Sequence, residues 1–418
     1  MKEKIRVGYI GLGRRGSYVM QKSILSMGDV EIAWVCDLCE ARVKRASALL
    51  TENGRPAPRE TLDYREVLAD PTVDAVFIMT CWSGRVQLAV ESMRAGKYTA
   101  IEVGVADNLE ECFELVRVHE ETGVPVMMLE NCCYGRREMM MLNMVKKGLF
   151  GEVVHCTGGY HHYLPDEDLF KPTAEPEFPH YRLAHYKTQN RENYPTHEFG
   201  PISKVLSLNR GNRVLTLSSF ATKSVALKHY AKRRFGEESE EAKTEYRQGD
   251  IVTTVLTCAD GATVVLNLDT TLPRAYYSRN FSVRGTMAMS SEEGHVVYLE
   301  GMPEKIRDNE KEMYEKYDHP LHAEYVTKGV REGHGGIDWL VCRAFIESVK
   351  NGTNTPIDAY DTALWLAIGP LSEQSINQGG APVACPDFTD GKWQNREPVV
   401  RCKYGLDEIV EDKSVSII

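Results

Sequence analysis

The sequence predicts two architectures in one chain, an α/β domain over residues 1–130 and an α+β domain over residues 131–418. Three observations carry this expectation. In the first third, short apolar runs alternate with helix-like stretches, the pattern of a parallel sheet covered by helices on both faces. Directly after the first run, the stretch YIGLGRRGSYV (9–19) places Gly11, Gly13 and Gly16 between a strand and a helix. Beyond residue 130 the runs alternate apolar with polar residues, as antiparallel strands with one exposed face do.

The runs at 5–10, 32–36, 73–79, 99–103 and 126–129 are the expected parallel strands, with a helix over 17–26 after the glycine turn. Each glycine has a separate reason: one makes the tight turn, one lets backbone approach a pyrophosphate, and one allows close packing of helix on strand. The helix N-terminus then presents its amides to the anion. Arg14 and Arg15 lie in this turn and are counted with it on the cofactor side. Asp37, 21 residues after Gly16 at the end of the second run, completes the pattern. Its carboxylate accepts hydrogen bonds from ribose hydroxyls and repels a 2′-phosphate, which favours NAD over NADP. Arg42 and Arg45 stand close by in sequence and pull the other way.

In the second domain the expected strands are 153–160, 214–220, 251–258 and 263–268. Residues 163–193 show little periodicity and are expected to form a long substrate-side loop, and 237–243 a solvated helix or linker. Met139, Met140 and Met141 are expected to fill the core from a helix. His161, His162 and His185 lack a carboxylate or cysteine set at ligand spacing, so they are expected to be loop hydrogen-bonders, and no metal site is expected. His334, flanked by Gly333, Gly335 and Gly336, is expected to contact substrate, because glycines let backbone come close. Asp338 and Trp339 after it are expected to cap and pack a helix.

Composition excludes several classes. A net charge of −10 gives no electrostatic footprint for nucleic acid or an acidic membrane surface, and the cluster Lys232, Arg233, Arg234 reads as solvated surface. Eleven cysteines, an odd number with no zinc-like pairing of motifs, fit reduced thiols. No apolar run approaches membrane-spanning length, and Met1-Lys2-Glu3-Lys4 leads straight into a strand without a signal-peptide core. A cytoplasmic protein is expected.

Four separated segments, LENCCYGRREMMMLNMVKKGLFGE (129–152), NYPTHEFGPISKVLSLNRG (193–211), HGGIDW (334–339) and DAYDTALWLAIGPLSEQSI (358–376), resemble the Gfo/Idh/MocA superfamily. Within it the chain is most similar to the NAD-dependent glycosidases of glycoside hydrolase family 109, whose founding activity is α-N-acetylgalactosaminidase. The resemblance implies a Rossmann domain followed by a large open, mainly antiparallel sheet whose face helps form a homodimer or homotetramer. It also implies that the segment from about 335 packs back on the first domain.

The resemblance carries over residue by residue. Glu102, in IEVG, sits where the superfamily usually has Glu-Lys-Pro; Val103 and Gly104 replace the lysine and proline, and typical sugar dehydrogenases need that lysine to move the alcohol proton. Trp82 and Asn131 match cofactor-side positions, and Glu102 is implied to hold the nicotinamide ribose or a sugar hydroxyl. Tyr134 matches a tyrosine beside nicotinamide and sugar. Tyr160 and Arg182 match sugar-side positions, and Tyr194 and His197 are the tyrosine and histidine of the YPTH motif. In TLPRAYYSR (271–279) an extra residue leaves Tyr276 or Tyr277 as the site tyrosine, with Tyr276 favoured; Glu198 stands where the family has glycine.

The implied reaction is transient oxidation of the sugar at C3, loss of the C2 proton, elimination of the aglycone, addition of water and re-reduction, on one tightly bound NAD. His197 is the first choice for acid/base work, since histidine exchanges protons near neutral pH. Tyr134 and Tyr194 are expected to relay protons or hydrogen-bond the C3 oxygen, and Arg182 to orient the sugar. The partner is a small carbohydrate glycoside. The alternative is an NAD-dependent sugar or inositol dehydrogenase with net redox turnover.

Overall fold

Strand β1 (Ile5–Ile10) is apolar and almost wholly buried because it lies at the middle of a parallel sheet. The structure, a computed structural model, describes residues 3–175, 178, 180–329, 334–398 and 400–410. After β1 come β2 (Val30–Cys36), β3 (Arg59–Thr61), β4 (Ala75–Ile78), β5 (Tyr98–Ile101) and β6 (Val126–Met128). They form one six-stranded parallel sheet in the order β3-β2-β1-β4-β5-β6. The order reverses between β1 and β4, and in open α/β sheets ligands bind beyond the carboxyl ends of the strands at such a switch point. This is the expected Rossmann-like sheet. Strand β3 escaped the sequence reading because Arg59 and Glu60 are exposed at the sheet's edge and leave no apolar run. The helix expected over 17–26 begins earlier, at Arg14 directly after Gly13, and ends at Lys22.

The chain divides into two compact units. The first comprises residues 1–146, 318–364 and 395–418, and the second residues 147–317 and 365–394. In the first unit the helix Ile337–Asn351 covers the parallel sheet; Phe345 sets its ring edge against Phe77 of β4 at 5.2 Å, and Phe77 in turn stacks on Tyr9 of β1 at 5.7 Å. Met139, Met140 and Met141 are fully buried on the helix Arg136–Lys146.

The second unit is built on β7 (Val153–His161), β8 (Val214–Ala221), β9 (Ile251–Cys258), β10 (Thr263–Asp269), β11 (Ser282–Gly285), β12 (Ala288–Ser291), β13 (Val296–Leu299) and β14 (Val383–Ala384). Their order is β13-β12-β11-β7-β10-β9-β8-β14. All pairs are antiparallel except β7 with β10, which run parallel with His155 opposite Thr263, so the sheet is mixed, though mainly antiparallel. That pair is joined by a long crossover, as parallel strands require. Val252, Thr254 and Leu256 of β9 are buried and alternate with partly exposed Thr253 and Val255, which is the period read from sequence.

The stretch 163–193 is not the continuous loop expected. It holds a turn at Pro165–Leu169 and a helix, Tyr181–Thr188, capped by His180, whose Nδ1 accepts the Arg182 amide at 3.3 Å. The helix buries Arg182, His185 and Tyr186, a polar and aromatic face that hydropathy periodicity does not register. Within 237–243 a short helix, Glu240–Lys243, is capped by Ser239. Among the described residues no helix is long and apolar enough to cross a membrane.

Candidate functional site

In the first unit, Gly11 has φ of +96°, and a Cβ there would lie 2.6 Å from the Met79 carbonyl carbon, so the turn admits only glycine. A Cβ on Gly16 would lie 2.1 Å from the Gly11 carbonyl oxygen; without it the helix Arg14–Lys22 starts flush against the turn, and the buried Tyr9 hydroxyl donates to the Gly16 carbonyl at 2.7 Å. Gly13 differs from both. The nearest chain atom to its missing Cβ is Arg42 Nη1 at 3.8 Å, so nothing in the chain itself demands glycine there. A phosphate approaching a helix start that has no side-chain cap does demand it.

Asp37 follows β2. Its Oδ2 accepts the Leu12 amide at 2.7 Å and its Oδ1 the Cys39 amide at 2.9 Å, so the carboxylate is pinned to the glycine turn with lone pairs left for ribose hydroxyls. Arg42 approaches Oδ1 at 3.7 Å. These residues fit a dinucleotide whose ribose is unphosphorylated.

Two further loops are fastened together by Arg85, which sequence reasoning missed. Its buried guanidinium donates to the carbonyls of Glu102 and Val103 at 2.6 Å each and to that of Thr80. Trp82 thereby lies over the IEVG loop, where a Cβ on Gly104 would sit 2.4 Å from the indole Cδ1. The substitution of the superfamily's proline by Gly104 is what gives the indole its place.

Arg15, Asn131 and His334, expected separately, meet at Asp338, and Glu102 joins them through Arg15. Arg15 Nε donates to Glu102 Oε2 at 2.9 Å, and its Nη1 and Nη2 grip Asp338 at 3.1 and 2.8 Å. Asn131 Nδ2 donates to Asp338 Oδ1 at 2.7 Å, and His334 Nδ1 lies 2.6 Å from Asp338 Oδ2. Burial works against charge on Asp338, yet the hydrogen bond from His334 and the Arg15 guanidinium hold its carboxyl well below the usual carboxylate range. Asp338 is thus the hub of this region rather than a mere helix cap. Arg14 is exposed at the first helical position.

Glu102 and Tyr134 are both tied to the chain itself. Glu102 receives its neighbour's amide (Val103, 2.9 Å) on Oε1 and Arg15 (2.9 Å) on Oε2, so both carboxylate oxygens are engaged in holding the turn. Tyr134 is completely enclosed; its hydroxyl donates to the Tyr404 carbonyl at 2.9 Å, and burial raises its pKa well above the usual tyrosine value. In this arrangement it braces the unit, unlike the proton relay expected of it. His334 has a positive φ of 46°, and its side chain is 59% exposed; Gly333 lies outside the described residues.

In the second unit the sugar-side candidates form an aromatic cluster. A Cβ on Gly158 of β7 would lie 2.5 Å from Glu198 Cβ, so its absence lets the helix Thr196–Val205 press onto the strand. The motif just before and within that helix then meets Tyr160: the Tyr160 ring lies 4.3 Å from Tyr194 and 5.6 Å from His197. Tyr194 Oη lies 3.4 Å from His197 Nε2. Arg182 stands over the Tyr194 ring at 4.9 Å and donates through Nη1 to Asp168 at 3.2 Å. Burial pushes the Tyr160 hydroxyl up to about 12, against the charge and hydrogen bond of Arg182.

Of the two adjacent tyrosines, Tyr277 belongs to the cluster, 6.2 Å from Tyr160 and 5.2 Å from His162. Both tyrosines are exposed, Tyr276 at 61% and Tyr277 at 49%, so it is the ring contacts of Tyr277 and not burial that favour it over the expected Tyr276. Glu198 is buried against β7 and paired with Arg279 at 3.5 Å, which makes the family's missing glycine a structural exchange. Glu192 and Asp168 had no signal in the sequence beyond being acidic. Glu192 is enclosed, accepts the Tyr194 amide at 3.2 Å, and is pushed by burial to about 8.

Comparison with known proteins gives the family of both parts of the chain. Residues 134–395 match the family model described as "Glycosyl hydrolase 109, C-terminal domain", and residues 5–130 match "Oxidoreductase family, NAD-binding Rossmann fold". The chain is 38% identical to "Alpha-N-acetylgalactosaminidase" of Tannerella forsythia, covering 94% of this chain and 88% of that protein. It is 36% identical to "Glycosyl hydrolase family 109 protein" of Stenotrophomonas maltophilia, covering 95% and 91%. Among solved structures, "Levoglucosan dehydrogenase, complex with NADH and levoglucosan" superimposes with a TM-score of 0.68 over 92% of this chain and all of that one; at 15% identity this likeness concerns the fold. The cofactor of the first unit is NAD.

Proposed function

The chain belongs to glycoside hydrolase family 109 and is an NAD-dependent glycosidase; on that premise we propose that it hydrolyses α-N-acetylgalactosaminides or closely related glycosides by C3 oxidation, C2 deprotonation, elimination, water addition and re-reduction. The observation that carries the reading is the grouping of His197, Tyr194, Tyr160 and Arg182 in the second unit, in a chain with Val103 where a dehydrogenase has its lysine. The name of the Tannerella forsythia relative supports the choice of sugar.

The NAD held here would supply a reversible hydride acceptor for C3 of the sugar, so that turnover leaves no net redox change. Gly11, Gly13, Gly16 and Asp37 hold its pyrophosphate and ribose, with Trp82, Asn131, Arg14, Arg15 and Glu102 shaping the same region. His197 accepts and returns the proton of the sugar hydroxyl at Nε2, with Tyr194 Oη as its partner. Arg182 cannot lose its proton; anchored by Asp168, it orients the sugar and offsets negative charge as it develops. Tyr160 and Tyr277 supply ring surface to the sugar, and His334 contacts substrate or cofactor from its exposed position.

The cofactor stays bound through the cycle, the protein works in the cytoplasm, and it assembles as a homodimer or homotetramer. Support for assembly comes from Leu215 and Phe220, exposed on β8. The function is tested by a panel of chromogenic aryl α- and β-glycosides, with and without added NAD. Release of the aryl alcohol from the α-N-acetylgalactosaminide without accumulation of reduced nicotinamide is expected. Reduced nicotinamide building up in proportion to a free sugar would mark a dehydrogenase instead.

A further inference from the structure

The reaction takes two protons off the sugar, one from the C3 hydroxyl and one from C2, and His197 with Tyr194 accounts for the first. A second hydrogen-bonded line in the same unit runs outward from the aromatic cluster. Tyr160 Oη lies 2.9 Å from His162 Nδ1, and His162 Nε2 lies 2.9 Å from Glu167 Oε2. Exposure rises along it: Tyr160 is 7% exposed, the His162 side chain 26% and the Glu167 side chain 61%. The His162 ring is clamped edge-on between Tyr160, at 5.4 Å, and Tyr277, at 5.2 Å. With a carboxylate at Nε2, the neutral ring carries its proton there, and the Nδ1 lone pair accepts the Tyr160 O–H.

We propose that Tyr160, His162 and Glu167 form a proton line that carries the C2 proton of the sugar to solvent and back, His162 and Glu167 acting as positioning residues through Tyr160; this rests on the elimination reading given above. On the outward pass, a proton bonds to the Tyr160 oxygen as the tyrosine's own O–H proton moves to His162 Nδ1. The His162 Nε2 proton moves to Glu167 and then to water. The return pass runs the line backwards and restores the original ring tautomer. No electrons leave, and neither a tyrosinate nor an imidazolium is stranded.

A lone tyrosine would serve poorly here. With its hydroxyl pushed to about 12, only about one Tyr160 in 10⁵ is ionised at neutral pH, so passing a proton on as another arrives is what makes it usable. The line also makes the C2 proton exchangeable with bulk water, whereas an isolated base would hand the same proton back.

The test uses the full-length enzyme with NAD bound, in deuterated water, on the aryl glycoside it hydrolyses. His162→Phe keeps a ring between Tyr160 and Tyr277 but breaks the line, and Glu167→Gln changes an exposed end that the fold does not need. The first is expected to lower kcat about 100-fold with KM within about twofold, to reduce deuterium at C2 of the released sugar, and to recover with added imidazole. Glu167→Gln is expected to lower kcat about tenfold and the C2 label with it. If the parent enzyme incorporates C2 deuterium and both variants match it in rate and label, the line is overturned while the elimination reading stands. A slow His162→Phe that imidazole does not rescue, beside an unchanged Glu167→Gln, overturns it as well, since packing alone gives that result. Hydrolysis by the parent without any C2 deuterium overturns the line, since an enclosed base that returns the sugar's own proton gives that result, and leaves the elimination reading to be judged by a rate effect of deuterium placed at C2 of the substrate.

Discussion

The two units hold their functional residues by different physical means. In the first, charge is closed on charge: Arg15 is shared by Glu102 and Asp338, and Asp338 also takes Asn131 and His334. Backbone is shaped by glycines at positions where a Cβ would strike the chain itself. In the second, the residues meet mainly through ring contacts and hydroxyls shared with imidazoles, as in Tyr194 with His197 and Tyr160 with His162. A paired buried charge is costly to disturb and poorly suited to changing its protonation. Hydroxyl–imidazole pairs pass protons readily. On the proposed reaction, this contrast fits the first unit to holding and the second to proton movement.

Four substitutions bear on that contrast, in decreasing order of expected effect. His197→Ala should lower kcat by about 10³ while the purified enzyme keeps its NAD content; loss of NAD along with activity would erase the division of labour. Asp338→Ala leaves Arg15 facing a lost partner and should cost about 3 kcal/mol of stability, read as a lower Tm and reduced NAD content. A parent-like Tm would show that the ion-pair hub holds nothing.

Glu192→Gln reports on the second unit through pH. Burial raises this carboxyl from its ordinary 4.5 to about 8, so the folded chain binds the proton more tightly than the unfolded chain does. The stability it contributes is complete below pH 4.5 and is lost as pH rises through about 8. The parent should therefore lose Tm between those values more steeply than the variant, and parallel Tm profiles would contradict a buried neutral carboxyl. Gly13→Ala should be the mildest for the fold, since the nearest chain atom is 3.8 Å away. Its apo Tm should match the parent's while NAD affinity falls about tenfold, or about 1.4 kcal/mol. An equal fall in both would mean that the chain, not the cofactor, requires glycine there.

Much of the first unit was legible because its constraints are local. Gly11 and Gly16 are forced by atoms a few residues away or on the next strand, and Asp37 closes on that same turn. Asp338 was not legible as a hub, since its partners Arg15 and Asn131 are far away in sequence. In the second unit the strands were visible by their alternation, but the parallel pairing of β7 with β10 was not, because alternation describes faces and not neighbours. The helix Tyr181–Thr188 stayed hidden behind a buried face of Arg182, His185 and Tyr186. The extra residue in TLPRAYYSR hid which tyrosine lies against the cluster, since only the fold brings Tyr277 beside His162. Tyr134 misled in the opposite direction, as its motif pointed to chemistry while its hydroxyl is bound to Tyr404.

The central claim is a closed redox cycle on one retained NAD. It is tested most directly with an aryl α-N-acetylgalactosaminide carrying deuterium at C3, turned over in ordinary water with excess unlabelled NAD in solution. The account predicts that the label slows turnover and is recovered at C3 of the released sugar, because the hydride goes back to the carbon it left. Released sugar with ordinary hydrogen at C3 and the label in the dissolved cofactor, or hydrolysis indifferent to the label, would contradict it.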